Sequence, residues 1–501
     1  MHLKRLCDAV GISCPAEAER TVITGIEVNS KLVNKGSMFV CIRGLHADGH
    51  SYIKDAIERG AVCILVDRYA EASDTGGAVL LRCADTRAAS ARLYNAWYGF
   101  PARKLKLIGV TGTNGKTSVT HLICEILKAA HHRCGMIGTL GATYGGKELF
   151  CGTDTPLASM TTPDPKDLYR ILRDMAHSGA EYVVMETSSH ALALEKLAPL
   201  SFECAVFTNL TPEHLDFHRT MDNYADAKAR LLERARICVI NADSPYASRM
   251  QRVAIGKCVT CSAKGADADY VATDVEILEA RGCRYRLASI RTRLQLTCPI
   301  VGRFTVSNSM QAAVAALELG CPPAAVKEAL GAAPPVKGRM ERVELGERAD
   351  ISVMIDYAHT PDALETLLLC AKEVCRGKLI LVFGCGGDRD KTKRATMGEI
   401  AARLADLVIV TSDNSRSEDP MDIIGEITEG IPMHTEYRIV PSRERAIRYA
   451  ILNADKGDTV LLAGKGHEEY EITREGKRRF SEREIARAAY AERESTMNEE
   501  Y

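Results

Sequence analysis

The chain has 501 residues, of which 46% are hydrophobic and 26% are charged, a composition typical of a soluble globular protein with about three domains. Its net charge of −1 gives no indication of a nucleic-acid or polyanion partner. No apolar run approaches about 18 residues, so we expect no membrane span, and the first residues lack the apolar core of a signal peptide. The 18 cysteines are scattered without paired metal-ligand spacing, which favours a reducing cytoplasm over a disulfide framework.

The first 100 residues are predicted to form a small α/β domain. Residues 37–42 and 61–66 are short apolar runs that indicate strands, and a polar, glycine-bearing turn lies between them at residues 43–52. Pro101 and the basic pair Arg103 and Lys104 then mark the join to a second domain, because proline interrupts regular structure.

A strand, a glycine-rich turn and a helix are predicted at the start of the second domain. Residues 107–117 read L-I-G-V-T-G-T-N-G-K-T, and an apolar pattern of helical period follows. The two later glycines let backbone N–H groups surround an anion at a helix N-terminus. Lys116 can reach the outer phosphates of a nucleotide, and the Thr117 hydroxyl can bind Mg²⁺. Val110 stands where the strict Walker motif has its first glycine, and such a turn can be purely structural, but Gly-Lys-Thr favours nucleotide binding.

Further strands of this second domain end in polar residues. Apolar runs at residues 182–186, 204–209 and 237–241 are typical of a parallel sheet covered on both faces, and ligands bind at the carboxyl ends of such strands. Glu186 can supply a second oxygen ligand for a metal, although Glu186 and His190 can equally be a helix cap and a surface histidine. Residues 283–301 alternate like a hairpin at the edge of the sheet. A second polar cluster contains Asn209, His214, Asp216 and His218.

A third domain is predicted after a linker at residues 332–339. Four apolar runs follow, at residues 353–355, 379–383, 407–410 and 460–463, and each leads into a polar segment. This repeated pattern predicts a doubly wound sheet with a polar rim at its ligand-binding edge. Solvated loops without a ligand are the alternative explanation of the four segments.

Five segments, taken in order, resemble the Mur ligases, the ATP-dependent amino-acid ligases of bacterial peptidoglycan synthesis. They read T-G-T-N-G-K-T, M-E-T-S-S-H, F-T-N-L-T-P-E-H-L-D-F-H, D-Y-A-H-T-P-D and G-D-R-D-K-T-K-R. The expected fold class is therefore α/β with three domains. The resemblance implies a small N-terminal α/β domain that binds a UDP substrate (residues 1–100), a central P-loop ATPase-type parallel sheet that binds ATP (residues 101–335), and a C-terminal doubly wound, Rossmann-like domain that binds the amino acid (residues 336–501). The last two segments look most like the members that add the third residue of the peptide.

The resemblance implies a reaction through an acyl phosphate. The D-Glu carboxylate of UDP-N-acetylmuramoyl-L-Ala-D-Glu attacks the γ-phosphorus of ATP, and the amine of meso-diaminopimelate then displaces phosphate. Two anions must meet in the first step, so Mg²⁺ and Lys116 are expected to neutralise charge. ATP and Mg²⁺ are the implied cofactors, and we expect a cytoplasmic monomer with no nucleic-acid partner and no membrane span.

Motif matches imply the nucleotide and metal sites. The expected ATP-binding residues are Gly112, Thr113, Asn114, Gly115, Lys116, Thr117, Ser118, Asn308, Arg339, Asp356 and His359. The expected catalytic residues are Lys116, Lys228 and His214. The expected metal ligands are Thr117, Glu186, His214 and Lys228 as a carbamate. Lys228 matches the lysine that the family carbamylates, a modification that requires a neutral amine with a lowered pKa, although from sequence alone it is an ordinary lysine on a helix face. Asn308, on a helix-like stretch, can simply face solvent.

The UDP-sugar-peptide site is implied by less specific matches. Its expected residues are Val28, Ser30, Leu45, His46, Ala47, Thr161, Thr162, Ser189 and Lys196. The family often has arginine where Lys196 stands, so that contact would lose a bidentate fork. A turn or cap role is an equally good explanation of any single N-terminal match.

The segment D-N-S-R at residues 413–416 predicts which amino acid is added. Members that add diaminopimelate typically carry D-N-P-R, and an arginine fork at position 416 can read the far carboxylate that lysine lacks. Serine at 415 relaxes the preorganisation that proline provides. Diaminopimelate is the prediction and L-lysine is the alternative, because lysine would leave a guanidinium unpaired. The expected binding residues are Arg389, Asp413, Asn414, Ser415, Arg416, Gly464 and Glu468.

Three other classes of protein remain open. A folylpolyglutamate or cyanophycin synthetase shares the style of the P-loop. A P-loop GTPase or kinase is disfavoured because the chain lacks an obvious Asn-Lys-x-Asp motif. A non-catalytic nucleotide-binding scaffold would bind ATP without substrate-stimulated phosphate release, and the intact Lys116, Glu186, Lys228 and Arg389 argue against it.

Overall fold

A computed structural model describes residues 1–44, 47–67, 75–149, 161–278, 281–346 and 349–499 of the chain. The helices are α1 (Leu3–Val10), α2 (Ile53–Glu58), α3 (Thr86–Trp97), α4 (Lys116–Ala129), α5 (Pro165–His177), α6 (Ser189–Ala193), α7 (Leu215–His218), α8 (Met221–Leu232), α9 (Ala247–Val253), α10 (Phe304–Glu318), α11 (Pro323–Gly331), α12 (Pro361–Val374), α13 (Lys393–Leu404), α14 (Pro420–Thr428), α15 (Arg443–Leu452) and α16 (Glu482–Glu499).

The strands lie in four sheets. They are β1 (Gly25–Glu27), β2 (Ser37–Val40), β3 (Cys63–Asp67), β4 (Val79–Cys83), β5 (Lys106–Thr111), β6 (Cys134–Gly138), β7 (Gly141–Tyr144), β8 (Lys147–Glu148), β9 (Tyr182–Glu186), β10 (Phe202–Phe207), β11 (Ala235–Asn241), β12 (Lys257–Ser262), β13 (Tyr270–Ile277), β14 (Cys283–Ala288), β15 (Arg293–Cys298), β16 (Glu341–Arg342), β17 (Ser352–Asp356), β18 (Leu379–Phe383), β19 (Leu407–Val410), β20 (Tyr437–Ile439), β21 (Thr459–Ala463), β22 (Tyr470–Thr473) and β23 (Gly476–Arg479).

The N-terminal sheet has the order β1-β2-β3-β4, and all its neighbouring strands are parallel. The two predicted strands are β2 and β3, which are buried along their whole length. Helix α3 packs against the sheet and donates from the Tyr94 hydroxyl to Ile26 O at 2.8 Å. An ion pair between Lys166 and Glu27, at 2.8 Å, connects this sheet to α5 of the central part of the chain.

The central sheet has eleven strands in the order β15-β14-β13-β12-β11-β10-β5-β9-β6-β7-β8. Strand β5 lies between β9 and β10 and is parallel to both, so the carboxyl ends of these three strands meet at one edge. Two buried clusters cover the sheet, one containing α4, α10 and α11 and the other containing α5 and α8. The predicted hairpin is β14–β15, which is antiparallel and ends the sheet. The sequence pattern did not reveal β6, β7, β8, β12 or β13.

The C-terminal sheet has the order β16-β17-β21-β18-β19-β20. The four predicted strands are β17, β18, β19 and β21, and they pair in parallel. One buried cluster contains α12, α13 and α14, whereas a second contains α15 and α16, as a doubly wound sheet requires. This arrangement confirms the predicted Rossmann-like sheet, to which the short hairpin β22–β23 is added.

Two further expectations can be compared with the structure. None of the helices in the described part of the chain is long and apolar enough to cross a membrane. The described cysteines are free thiols, and nearly all of them are buried.

Candidate active site

The glycine-rich loop lies at the carboxyl end of β5, where the neighbouring strand β10 approaches it closely. Gly112 has φ 151° and a Cβ there would lie 1.9 Å from the Thr208 hydroxyl oxygen. Gly115 has φ 84°, which favours glycine, and a Cβ there would lie 2.6 Å from Asn308 Oδ1. Both glycines are therefore required by the local geometry, and Asn308 is buried against the loop rather than facing solvent.

The remaining loop residues are held by the segment after β10. The Thr113 hydroxyl lies 3.2 Å from both Thr211 O and the Tyr224 hydroxyl. The Asn114 N–H donates to Asn209 Oδ1 at 2.8 Å. Ser118, in the first turn of α4, is buried. The loop is thus preformed, with its shape set by a strand far away in sequence.

The side chain of Lys116 folds back over the loop that precedes it. Its Nζ donates to Gly112 O at 2.9 Å and to Thr113 O at 2.6 Å. Burial lowers the pKa of the Lys116 amine, which the negative charges of Glu213 and Glu186 partly oppose. The ammonium is placed where a phosphate bound by the loop would meet it.

Thr117 and Glu186 come together, as the metal prediction requires. The Thr117 hydroxyl donates to Glu186 Oε2 at 3.1 Å, and Thr139 donates to the same carboxylate from its N–H at 2.8 Å and its hydroxyl at 3.0 Å. Glu186 is 1% exposed, and these partners carry no charge. Buried carboxylate and hydroxyl oxygens are the donors that Mg²⁺ prefers, so this pair fits the ion. Across the described segments, no three His, Cys, Asp or Glu side chains form a metal-ligand group.

Glu213 lies between two histidines, one after β10 of the central sheet and the other after β17 of the C-terminal sheet. Its Oε1 lies 3.6 Å from His214 Nε2 and 3.3 Å from His359 Nε2. Burial opposes ionisation of Glu213, yet His359, His214 and Lys116 hold the pKa of its carboxyl well below the usual range. Burial lowers the pKa of His214 to about 4, despite the neighbouring Glu213. The sequence analysis did not select Glu213, although it directly precedes His214 in the quoted segment.

Lys228 is fully buried beside the loop, which disagrees with the alternative of an ordinary helix-face lysine; its role as a carbamate stays a prediction. Its Nζ donates to Gly112 O at 2.8 Å and lies 4.5 Å from the centre of the Tyr224 ring. Burial and the nearby Lys116 lower the pKa of the Lys228 amine well below its usual value. A neutral amine is what carbamylation requires.

Arg339 and Asp356, two of the residues expected to bind ATP, lie in the C-terminal part of the chain, and Arg339 reaches the loop. Arg339 donates to the Thr117 hydroxyl at 3.2 Å and stacks on Tyr357, 4.8 Å from the ring centre. Asp356 accepts the Met340 N–H at 2.7 Å, and burial raises the pKa of its carboxyl. Asp356 therefore positions the backbone that carries Arg339.

Asp362 makes a second connection between the two sheets, and the sequence analysis did not select it. Its Oδ2 accepts from Asn114 Nδ2 at 2.8 Å and from the Thr211 hydroxyl at 3.2 Å. The phosphate loop therefore contacts α12 directly. Asp362 is the final aspartate of the segment D-Y-A-H-T-P-D. Its place in that motif is the sequence feature that could have identified it as a site residue.

Two of the residues expected to bind the muramoyl dipeptide, Thr161 and Thr162, lie next to Glu186 and Thr139. The Thr162 hydroxyl donates to Glu186 O at 2.9 Å, and the Thr161 hydroxyl lies 3.3 Å from that of Thr139. Ser189 is buried and its hydroxyl lies 2.9 Å from His218 Nε2. Lys196 pairs with Asp164 at 2.7 Å.

The residues expected to bind the UDP portion lie in the N-terminal part of the chain. Val28 is 42% exposed, Ser30 is buried and Ala47 is exposed. Leu45 and His46 lie outside the described residues. No described contact joins these residues to the phosphate loop, so their assignment to UDP stays a prediction.

The loop D-N-S-R follows β19 and surrounds a buried lysine. Lys465 Nζ donates to Asn414 Oδ1 at 2.8 Å and lies 3.4 Å from Asp413 Oδ1. Asn414 donates from Nδ2 to Glu468 Oε2 at 2.7 Å. Gly464 has φ 117° and a Cβ there would lie 2.6 Å from Asp413 Oδ2. The fold thus gathers four predicted residues around Lys465, which the sequence analysis did not select.

Arg389 and Arg416 lie on neighbouring loops after β18 and β19. Arg416 donates from Nη1 to Gly387 O at 2.7 Å, whereas Arg389 donates to Asp388 O at 3.1 Å. Ser415 is 2% exposed, and a Cβ on Gly387 would lie 2.0 Å from the Ser415 carbonyl oxygen. Close packing holds this loop although serine replaces proline.

The chain is similar to known proteins along nearly all of its length. Family profiles match at residues 22–98 (Mur ligase family, catalytic domain), 110–316 (Mur ligase middle domain) and 338–466 (Mur ligase, glutamate ligase domain). The UDP-N-acetylmuramoyl-L-alanyl-D-glutamate–2,6-diaminopimelate ligase of Gloeobacter violaceus is 43% identical over 94% of this chain and 95% of its own. The ligase of the same name from Synechocystis is 41% identical over 95% of this chain and 94% of its own.

A solved structure of a ligase of that name agrees with this comparison. It is 30% identical, covers 99% of this chain and 100% of its own, and superimposes with a TM-score of 0.68. The chain therefore shares its fold with a solved relative over nearly its whole length. The chain belongs to the Mur ligase family.

Proposed function

We propose that this protein is an ATP-dependent ligase that joins meso-diaminopimelate to the D-Glu carboxylate of UDP-N-acetylmuramoyl-L-Ala-D-Glu in peptidoglycan precursor synthesis. The names of its relatives support this substrate pair. The residues of the site support the chemistry, because a preformed phosphate loop faces a second sheet that carries two arginines.

The observation that carries the proposal is the direct contact between these two sheets. Asn114 of the phosphate loop bonds to Asp362 at 2.8 Å, Arg339 bonds to Thr117 at 3.2 Å, and Glu213 pairs with His359 at 3.3 Å. A nucleotide on the loop and an amino acid on the C-terminal rim would thus share one cleft. Such juxtaposition is what a two-substrate condensation needs.

In the first step, a carboxylate oxygen of D-Glu attacks the γ-phosphorus of ATP, and the bond from that phosphorus to the ADP oxygen breaks. Both reactants are anions, so positive charge must be present before they approach. Lys116 supplies it from the loop and Arg339 from the opposite side, at its contact with Thr117. The oxygen–phosphorus bond that forms converts the carboxylate into an acyl phosphate.

Bound Mg²⁺ supplies charge neutralisation on the phosphate oxygens and polarises the γ-phosphoryl group. Thr117, Glu186, His214 and Lys228 as a carbamate would hold it. Addition of CO₂ to the neutral Lys228 amine releases one proton and converts that position into an anion. Its side chain is buried and its amine donates to a neutral acceptor, Gly112 O, at 2.8 Å, which suits this change.

In the second step, the amine attacks the acyl carbon, a C–N bond forms and the C–O bond to phosphate breaks. Phosphate leaves, and the proton that the amine loses passes to the departing phosphate or to solvent. Arg389 and Arg416 would orient the incoming amino acid by reading its two carboxylates, since guanidinium forks bind carboxylates bidentately. Burial and Asp413 raise the pKa of Glu468, which lies beside this site and would face the far amino group.

The domain assignment and cellular context belong to the same proposal. Residues 1–100 would bind the UDP portion, residues 101–335 ATP, and residues 336–501 the amino acid. The substrates are cytoplasmic metabolites, so we infer that the enzyme acts in the cytoplasm, as a monomer.

A phosphate-release assay tests the proposal. ADP and phosphate are measured with UDP-N-acetylmuramoyl-L-Ala-D-Glu, ATP, Mg²⁺ and each of meso-diaminopimelate, L-lysine and no amino acid, and the product mass is determined. We expect release and a tripeptide product with diaminopimelate. Faster turnover with L-lysine would contradict the choice of amino acid, and release without any amide product would contradict ligation.

A further inference from the structure

Two residues with left-handed backbone face each other across the loops that carry Arg389 and Arg416. Asp388 has φ 53° and Arg416 has φ 52°, a conformation that costs free energy for residues other than glycine. Such conformations persist only where surrounding contacts impose them. The contacts between these two loops therefore hold Asp388 and Arg416 in this conformation.

Reciprocal hydrogen bonds join the two loops. The Asp388 carboxylate accepts from the N–H and the hydroxyl of Ser417 through its two oxygens. In return, the Asp388 N–H donates to Glu418 Oε1 at 2.6 Å. The Gly387 N–H also donates to Asn414 O at 2.9 Å. Each loop thus fixes the backbone of the other.

Arg394 anchors this arrangement from α13. Its side chain is 0% exposed, and both terminal nitrogens donate to Glu418 at 3.0 Å. The same guanidinium donates to Glu426 at 2.7 Å and to Gly386 O at 3.3 Å. Arg394 also holds the pKa of Glu418 down at about 2, so the carboxylate stays charged at neutral pH. We call Asp388, Arg394, Ser417 and Glu418 the interloop clasp.

The clasp lies beside space for a small ligand. A cavity of about 440 Å³ is lined by Asp216, Asp388, Arg389, Asp390, Lys391 and Glu418. Asp388, Ser417 and Glu418 are hydrogen-bonded within the clasp, whereas Arg389 is exposed. Its only described hydrogen bond is to the adjacent Asp388 carbonyl oxygen. The clasp therefore positions the arginine at this cavity, and Asp388 and Glu418 also form part of the cavity wall.

We propose that the interloop clasp sets the separation of Arg389 and Arg416 and so makes the site selective for an amino acid with a carboxylate at each end. This inference rests on the proposed function and names the residues that position its two carboxylate readers. It explains how a chain with serine at 415 keeps its loop ordered without proline. An amino acid with a single carboxylate can bind only one of the two arginines. The spacing between the arginines therefore does not affect its affinity.

Substitution of Ser417 and Glu418 tests the clasp. Ser417→Ala removes a hydroxyl from an exposed residue and leaves the fold intact, and Glu418→Gln keeps the side-chain shape. With saturating ATP and UDP-dipeptide, we expect the KM for meso-diaminopimelate to rise about tenfold. The kcat and the KM for ATP should stay within about twofold. The preference for diaminopimelate over L-lysine in kcat/KM should fall by a similar factor.

Two control variants separate positioning from general stability. Ser417→Thr retains the hydroxyl and should retain the wild-type KM. Glu365→Gln breaks the exposed Glu365–Arg403 pair on the other end of α13 and should change neither KM. Calorimetric binding of meso-diaminopimelate by the same variants repeats the comparison without turnover.

The outcomes of this experiment are distinguishable. If wild-type protein forms no amide with diaminopimelate, the proposed function fails. If wild-type protein ligates diaminopimelate but Ser417→Ala and Glu418→Gln leave its KM and selectivity unchanged, the clasp proposal is overturned. Equal losses with diaminopimelate and lysine would also overturn it, because they indicate a purely structural role.

Discussion

Replacing Lys228 with methionine tests whether this buried amine serves function at the expense of stability. The side chain is 1% exposed, and its Nζ has Gly112 O as acceptor at 2.8 Å. Methionine keeps the length and the apolar volume. It removes a hydrogen bond worth about 1 kcal/mol but also the cost of desolvating a buried polar group, which is about 1–3 kcal/mol.

We therefore expect the free energy of unfolding of Lys228→Met to rise by about 0–2 kcal/mol. Ligation should fall by about 100-fold or more, because a charged group that acts on the transition state is lost. Bicarbonate added to CO₂-depleted buffer should raise the wild-type rate and leave that of the variant unchanged. Initial ADP release and urea unfolding measure these effects, with the exposed Lys372→Met as the control.

The difference in the free energy of unfolding between wild-type protein and Lys228→Met should change with pH in one direction. The pKa of Lys228 is lower in the folded protein than its ordinary value of 10.5, so the unfolded chain binds more protons between the two values. Burial of this amine therefore lowers the free energy of unfolding by its full amount below the folded pKa, and this penalty shrinks as pH rises across the window and vanishes above 10.5. The stability of wild-type protein relative to Lys228→Met should increase as pH rises towards 10.5. A variant that is strongly destabilised, or that ligates within about tenfold of wild type, would refute the reasoning.

Three further predictions concern the other groups of the site. Lys116→Ala should lower ADP release by about 1000-fold while calorimetric binding of meso-diaminopimelate stays measurable; unchanged release would contradict the role of the loop. Glu186→Gln should raise the Mg²⁺ concentration needed for half-maximal rate by about tenfold, and an unshifted Mg²⁺ titration would exclude Glu186 as a ligand. Arg416→Lys should reduce kcat/KM for diaminopimelate by about tenfold or more and that for L-lysine much less, so equal reductions in the two assays would argue against carboxylate recognition.

Local sequence patterns predicted the elements whose signals are continuous in the chain. The strand, loop and helix around Lys116 follow from an apolar run, two glycines and an apolar helical period, since each acts on its near neighbours. The four apolar runs of the C-terminal sheet were equally visible because a strand buried on both faces needs few polar residues. Strands β6 and β12 were missed because glycine, cysteine and polar residues interrupt their apolar character.

The partners of the site residues could not be predicted from the same patterns. Glu213 pairs with His359 and Arg394 with Glu418 only because distant segments meet at the edges of two sheets. Burial of Lys228 likewise depends on how α8 packs beneath the phosphate loop. None of these contacts leaves a periodic signal in sequence.

The sequence by itself determined the class of chemistry, since residue types and their spacing specify a phosphate loop and a pair of arginines. Tertiary structure alone decided which charges lie close together, which amine is stripped of water and how far apart the two arginines stand. The physical reason is that propensity and periodicity act over a few residues, whereas desolvation and Coulomb interactions depend on distances in space.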